Sequence, residues 1–95
     1  MSFEGILSDI KVLDFSTLLP GPLASLFLSE MGAEVIKVER LKLGDEMRRK
    51  TPEIDGTNVS FAILNRGKKS TEINLKNNFQ NKKLKKLIKE VDIVI

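Results

Sequence analysis

Residues 10–40 read IKVLDFSTLLPGPLASLFLSEMGAEVIKVER, and this stretch decides the fold. Ile10 to Phe15 is a short aliphatic, β-branched run broken by single charges, the pattern of a buried strand. Ser16 to Leu19 reads as a loop, closed by Pro20-Gly21-Pro22. Proline suits the first helical position, where its missing N–H would have no partner anyway, so Pro22 is expected to open a helix. That helix continues through Leu23 to Met31 and ends near Gly32, a suitable glycine just past a helix end. Leu23, Leu26, Phe27, Leu28 and Met31 make it apolar around most of its circumference, which predicts burial on more than one side. Glu34 to Glu39 is the next strand, with Val35, Ile36 and Val38 apolar. Strand, tight turn, helix and strand within about 30 residues form a βαβ unit, with parallel strands and a right-handed crossover.

Outward from this unit the pattern continues. Arg40 to Gly56 is polar and punctuated by glycine and proline, and reads as a surface loop. Asn58 to Asn65 fits either a strand or a short helix, because its length decides nothing. Arg66 to Lys69 is a turn, and Ser70 to Leu75 alternates as a third strand. Asn77 to Glu90 is a helix, with Leu84, Leu87, Ile88 and Val91 at one-face spacing and Asn77 as its N-cap. Asp92 to Ile95 begins another strand, shorter than the usual five or six residues. The expected fold class is therefore α/β, a Rossmann-like parallel sheet with flanking helices. It is expected to be incomplete within residues 1–95, the N-terminal part of a larger domain.

Composition narrows the chemistry. The chain has 95 residues and no cysteine, histidine, tryptophan or tyrosine. A disulfide framework and a thiolate nucleophile are excluded, as is a zinc site of the usual Cys/His ligand set. No Ser-His-Asp or Cys-His relay can be built from this chain alone. The N-terminus carries Glu4 and Asp9 and has no continuous apolar core, unlike a secretory signal. No apolar run approaches the roughly 20 residues of a membrane span, so a soluble, cytoplasmic protein is expected.

The net charge of +3 is local in origin. Residues 76–90 hold six lysines and one acid, while the remainder holds ten basic and twelve acidic residues. A lysine-rich helix admits a nucleic-acid or membrane-surface role, but no aromatic interleaving accompanies it. It is read as a solvated face, and neither nucleic acid nor membrane is expected as a partner.

Three places carry candidate chemistry. In open parallel sheets, ligands bind beyond the carboxyl ends of the strands. The loop from Ser16 to Pro22 lies there, but it has one glycine and two prolines instead of G-x-G-x-x-G, and each proline removes an N–H donor. It is either a ligand-packing apolar loop or a plain helix-starting turn. Glu39-Arg40 ends the second strand. An acid at this place takes ribose hydroxyls in dinucleotide-binding folds, and arginine offers a planar fork to a ribose phosphate. The alternative is an exposed pair at a strand end. Ile73 to Lys76 would lie near the same edge and hold an adenine ring or a phosphate, or else simply lead into the next helix. Arg66, Lys68 and Lys69 form a basic turn that either touches phosphates or is solvated.

Taken in order, five motifs resemble the N-terminus of the class III (family III) CoA-transferases, a family that includes the α-methylacyl-CoA racemases. They are Gly5 to Ser16, Pro20 to Pro22, Met31 to Arg40, Gly44 to Arg48 and Leu64 to Ser70. The terminal Asp92 to Ile95 fits the family's next strand.

The resemblance implies a protein of several hundred residues with a Rossmann-like large domain, to whose CoA-binding N-terminal part residues 1–95 would belong. It implies acyl-CoA or CoA as ligand, a carboxylic acid acceptor, and an interlinked homodimer when full-length. Carried over, Leu19 and Pro20 line the CoA site, Arg40 meets the adenosine phosphate end, and Ile73, Asn74, Leu75 and Lys76 flank the adenine. Leu19 stands where some transferases carry a glutamine that contacts the reacting thioester. Catalytic residues are expected beyond Ile95: an aspartate for covalent acyl transfer, or a His/Asp pair for α-proton exchange in the racemases. Asp14 and Asp45 match neither. No catalytic residue and no metal ligand is therefore expected here. Two readings from other classes stand beside this one: a stand-alone nucleotide-binding or protein-interaction module, and a lysine-driven nucleic-acid binder.

Overall fold

Strand β1 (Lys11–Asp14) pairs in parallel with β2 (Glu34–Arg40), Val12 opposite Val35 and Leu13 opposite Ile36. In this computed structural model, which describes residues 5–74 and 76–95 apart from the side chains of Asn78 and Phe79, the β1–β2 pair is the centre of a four-stranded sheet. With β3 (Glu53–Ile54) and β4 (Thr57–Asn58) forming a separate antiparallel hairpin, the sheet is completed by β5 (Lys69–Ile73) and β6 (Ile93–Val94). Its order is β5-β2-β1-β6, and all of its pairings are parallel. Because the chain steps from β1 to β2 to β5 and then returns beside β1, the order reverses at β1, the arrangement that opens a crevice at the carboxyl ends of the strands.

Helices cover both faces. Helix α1 (Pro20–Glu30) packs on β1 and β2, with the short α2 (Val59–Leu64) against it. Helix α3 (Asn78–Glu90) covers the opposite face, where Leu84, Leu87 and Val91 meet Leu13, Ile36, Val38 and Ile73. On the α1 side the apolar core is smaller: Val12, Ala33 and Val35, with Leu7, Ile10, Leu28 and Ile95 around them. Asn77 caps α3, its Oδ1 accepting the Gln80 N–H at 3.1 Å. The lysines at 82, 83, 85, 86 and 89 are exposed. No helix of the described residues is long and apolar enough to cross a membrane.

Several expectations are corrected. Helix α1 begins at Pro20, two residues before the expected Pro22. Leu19 serves as its N-cap and accepts the Leu23 N–H at 2.9 Å, so both prolines and Gly21 fall within the first turn, where a ring is tolerated. The helix is buried on one side only. Pro22, Ser25 and Leu26 are buried, whereas Phe27 and Met31 are exposed, because the sheet and α2 reach one flank alone. The expected loop over residues 40–56 contains a 3₁₀ turn at Glu46–Arg49 and the first strand of the hairpin. For Asn58 to Asn65 the helix prevails: Asn58 Oδ1 accepts the Phe61 N–H at 2.8 Å, an N-cap bond that commits the segment.

Candidate functional site

A cleft of about 830 Å³ opens at the carboxyl ends of β1, β2 and β5. Its floor is apolar, with Phe15, Val38 and Ile73 contributed by the three strands and their ends. Arg40 and Ile73 are partners on the last rung of the β2–β5 ladder, which brings two sequence-distant candidates side by side. Asn74 and Lys76 follow β5 along the same cleft. There Asn74 Oδ1 accepts the Lys76 N–H at 3.0 Å, a local turn that redirects the chain toward α3. Arg40 and Lys76 have no ion-pair partner among the described residues. Two unpaired cations over an apolar floor suit a ligand with a flat ring and an anionic group.

Leu19 and Pro20 are placed elsewhere. They sit exposed at the start of α1 and do not line the cleft, although Thr17 of the same loop does. Leu75 lies outside the described residues. The loop approaches α1 closely: a Cβ on Gly21 would stand 2.2 Å from Ser16 Cβ, so only glycine fits. With prolines at 20 and 22, the first turn of α1 offers few N–H groups and makes no phosphate cradle.

Glu39 departs from its expected role. The residue is 5% exposed and its carboxylate is already engaged: Oε1 accepts Asp45 N–H at 2.7 Å and Arg48 Nε at 2.6 Å, and Oε2 accepts Arg48 Nη2 at 2.9 Å and the Ser70 hydroxyl. No lone pair is left in a position to take ribose hydroxyls. Burial alone would raise its pKa, but the bonds from Arg48, Ser70 and the Asp45 amide outweigh it and hold the group down to about 2.

Glu39 belongs to a buried polar layer beneath the cleft that sequence reading missed. Lys37 Nζ lies 2.7 Å from Asp45 Oδ2 and donates to the Ser16 carbonyl at 2.9 Å, and Lys37 is 2% exposed. Deeper, Asp14 accepts from the Ser16 amide, the Ser16 hydroxyl and the Ser25 hydroxyl. Burial pushes the Asp14 pKa up; those hydrogen bonds and the Lys37 charge bring it below its ordinary value. Lys68 Nζ reaches Asn65 Oδ1 at 2.8 Å, the Pro22 carbonyl at 3.0 Å and Asp14 at 3.4 Å. Desolvation lowers the Lys68 pKa, and the Asp14 charge only partly offsets this. The signal that could have found this layer is the alternation of Glu34–Arg40: Val35, Lys37 and Glu39 share one face of β2, the buried one.

Among the described residues no group of three or more His, Cys, Asp or Glu is placed to hold a metal ion. Asp14 and Asp45 are both buried and each is paired with a lysine, Asp14 with Lys68 and Asp45 with Lys37.

Comparison with known proteins gives one answer. The sequence pattern of CoA-transferase family III matches residues 7–95. The chain is 41% identical over 92 residues to formyl-CoA:oxalate CoA-transferase of Escherichia coli, covering 94% of this chain and 22% of that protein. It superimposes on a CAIB/BAIF family protein from Brucella suis with a TM-score of 0.88 and 30% identity, covering 97% of this chain and 25% of the other. The Rv3272 protein of Mycobacterium tuberculosis gives 0.84 and 37% identity, with 95% and 24% coverage. The chain thus spans about a quarter of the length of these relatives.

Proposed function

The chain belongs to CoA-transferase family III, and from that premise we propose that it is the CoA-thioester-binding part of an enzyme that transfers CoA between carboxylic acids. The observation that carries this reading is the cleft itself, in which Arg40 and Lys76, without an ion-pair partner among the described residues, stand with Phe15, Val38 and Ile73. In this reading the adenine lies against Ile73 and Asn74, and the Arg40 guanidinium forks onto the 3′-phosphate of the adenosine. The pantetheine arm runs past Thr17 toward Leu19 and Pro20. The name borne by the Escherichia coli relative supports CoA transfer over α-proton exchange as the reaction of the whole enzyme. Leu19, where some transferases carry glutamine, leaves the acid defined only as a carboxylate. Because Asp14 and Asp45 are enclosed, the acyl-transfer chemistry is assigned to residues outside this chain.

Calorimetric titration of the chain with CoA and with dephospho-CoA tests the assignment. Tighter binding of CoA is expected. Equal affinities would remove the 3′-phosphate from the cleft, and absence of CoA binding would overturn the reading.

A further inference from the structure

Residues 41–48 form a strap whose first part, Leu41 to Glu46, walls the cleft. The strap has no strand pairing; it turns at Lys42 (φ +66°) and Gly44 (φ +67°) and ends in the 3₁₀ turn. Leu41 and Leu43 expose 37% and 56% of their surface along it, so apolar packing does not hold it down. Polar contacts do. Glu39 accepts the Asp45 N–H and the Nε and Nη2 donors of Arg48, so one buried carboxylate grips the strap at two points. Arg48 is steadied in turn by the Phe61 ring, with its guanidinium carbon 4.0 Å from the ring centroid. Gly44 presses directly on this pair: a Cβ there would stand 3.1 Å from Glu39 Oε1 and 3.2 Å from Arg48 Cδ. Successive residues of a strand point to opposite faces, so pinning Glu39 inward also fixes the direction of its neighbour Arg40.

We propose that Glu39 and Arg48 are positioning residues, a latch that holds the strap and Arg40 in place before the nucleotide end of CoA arrives. The inference rests on the reading of the cleft as a CoA site. Its physical basis is preorganisation: a strap ordered before binding spares the ligand the entropy of ordering rotamer-rich side chains. Neither residue needs to touch the ligand. Arg48 does not line the cleft, and the oxygens of Glu39 are all engaged.

The test combines amide hydrogen exchange of residues 41–48 in the ligand-free chain with calorimetric CoA affinity, on Arg48→Met and Arg48→Lys. Both are measured at a temperature where circular dichroism shows the variant folded. Arg48→Met is expected to speed exchange in the strap at least tenfold and to weaken CoA about tenfold; Arg48→Lys is expected to recover part of both. A merely structural role would lower the melting temperature and leave the affinity of the folded protein unchanged, and that result overturns the proposal. Unchanged strap exchange overturns it as well. Should Arg48→Met not fold, Ser70→Ala, which removes one bond to Glu39, carries the test: about threefold weaker binding supports the latch and wild-type affinity overturns it. Failure of the unmodified chain to bind CoA overturns the CoA reading, while exchange in the ligand-free strap still judges the latch.

Discussion

Arg40 and Ile73 face each other on the last rung of the β2–β5 ladder, a guanidinium with no ion-pair partner among the described residues beside a buried aliphatic side chain. Their juxtaposition gives one edge of the cleft both a cationic and an apolar contact. Arg40→Ala is expected to weaken CoA by roughly tenfold or more, the scale of one lost charge-assisted hydrogen bond. Dephospho-CoA should lose less, because it lacks the group that Arg40 reads. Calorimetry on the two ligands gives the comparison; equal losses would place Arg40 away from the 3′-phosphate.

Lys37 and Asp45 form an ion pair with both side chains at most 2% exposed. Such a pair adds little net stability over apolar replacements, but leaving one charge buried without its partner costs about 3–5 kcal/mol. Lys37→Met is therefore expected to lower the unfolding free energy by that amount, a large share of the roughly 5–15 kcal/mol of a small domain. Adding Asp45→Asn removes the stranded charge and keeps the cap on Met47 N–H, so the double variant should regain at least 1 kcal/mol or so of this. Urea denaturation of the single and double variants measures both numbers.

Acid sensitivity follows from Glu39. Unfolded, its carboxyl takes up a proton near its ordinary 4.5, whereas in the fold it does so only at about 2. The stabilisation is thus complete above about pH 5 and is lost as the pH falls toward 2, since the unfolded chain binds the proton first. Asp14, also lowered, acts in the same direction. Urea midpoints measured from pH 6 down to 3 are expected to fall, and Glu39→Gln should flatten that slope while starting from a lower stability.

The Gly21–Ser16 approach predicts a steric effect with a specific rescue. Gly21→Ala drives its new Cβ to 2.2 Å from Ser16 Cβ, and Ser16 cannot retreat freely because Asp14 holds both its amide and its hydroxyl. A loss of roughly 1–3 kcal/mol is expected. Ser16→Gly made on top of Gly21→Ala should cost less than the two single losses together, which a double-mutant cycle of melting measurements would detect.

Turnover provides the last check on the division of labour. The purified chain is expected to show neither CoA transfer between carboxylic acids nor exchange of the proton α to a thioester, because its buried aspartates are paired and histidine is absent. Clear activity in either assay would return a catalytic group to these residues.

Much of the architecture was legible in residues 10–40. Short aliphatic runs, a glycine past a helix end and prolines in a first turn act over a few residues, so β1, α1, β2 and their parallel pairing follow from local pattern. Boundaries shifted by one or two residues, as at the ends of β1 and β5 and at Pro20 and Pro22, where two local signals competed. The ambiguity at Asn58–Asn65 was settled by one capping bond.

By itself the sequence determined the fold class and placed Arg40, Ile73, Asn74 and Lys76 at strand ends, because those depend on periodicity and chain order. Only the tertiary structure decided which charges turn inward. Whether Lys37 meets Asp45, Asp14 meets Lys68, or Glu39 meets Arg48 and Ser70 depends on strand register and on which face each helix covers. Asp14–Lys68 and Glu39–Ser70 link residues far apart in the chain, and a charge is buried only where such a partner arrives to offset its lost hydration. That condition is set by the whole packing, so alternation groups Lys37 and Glu39 with Val35 on one face of β2, while the partners that keep them there come from elsewhere in the fold.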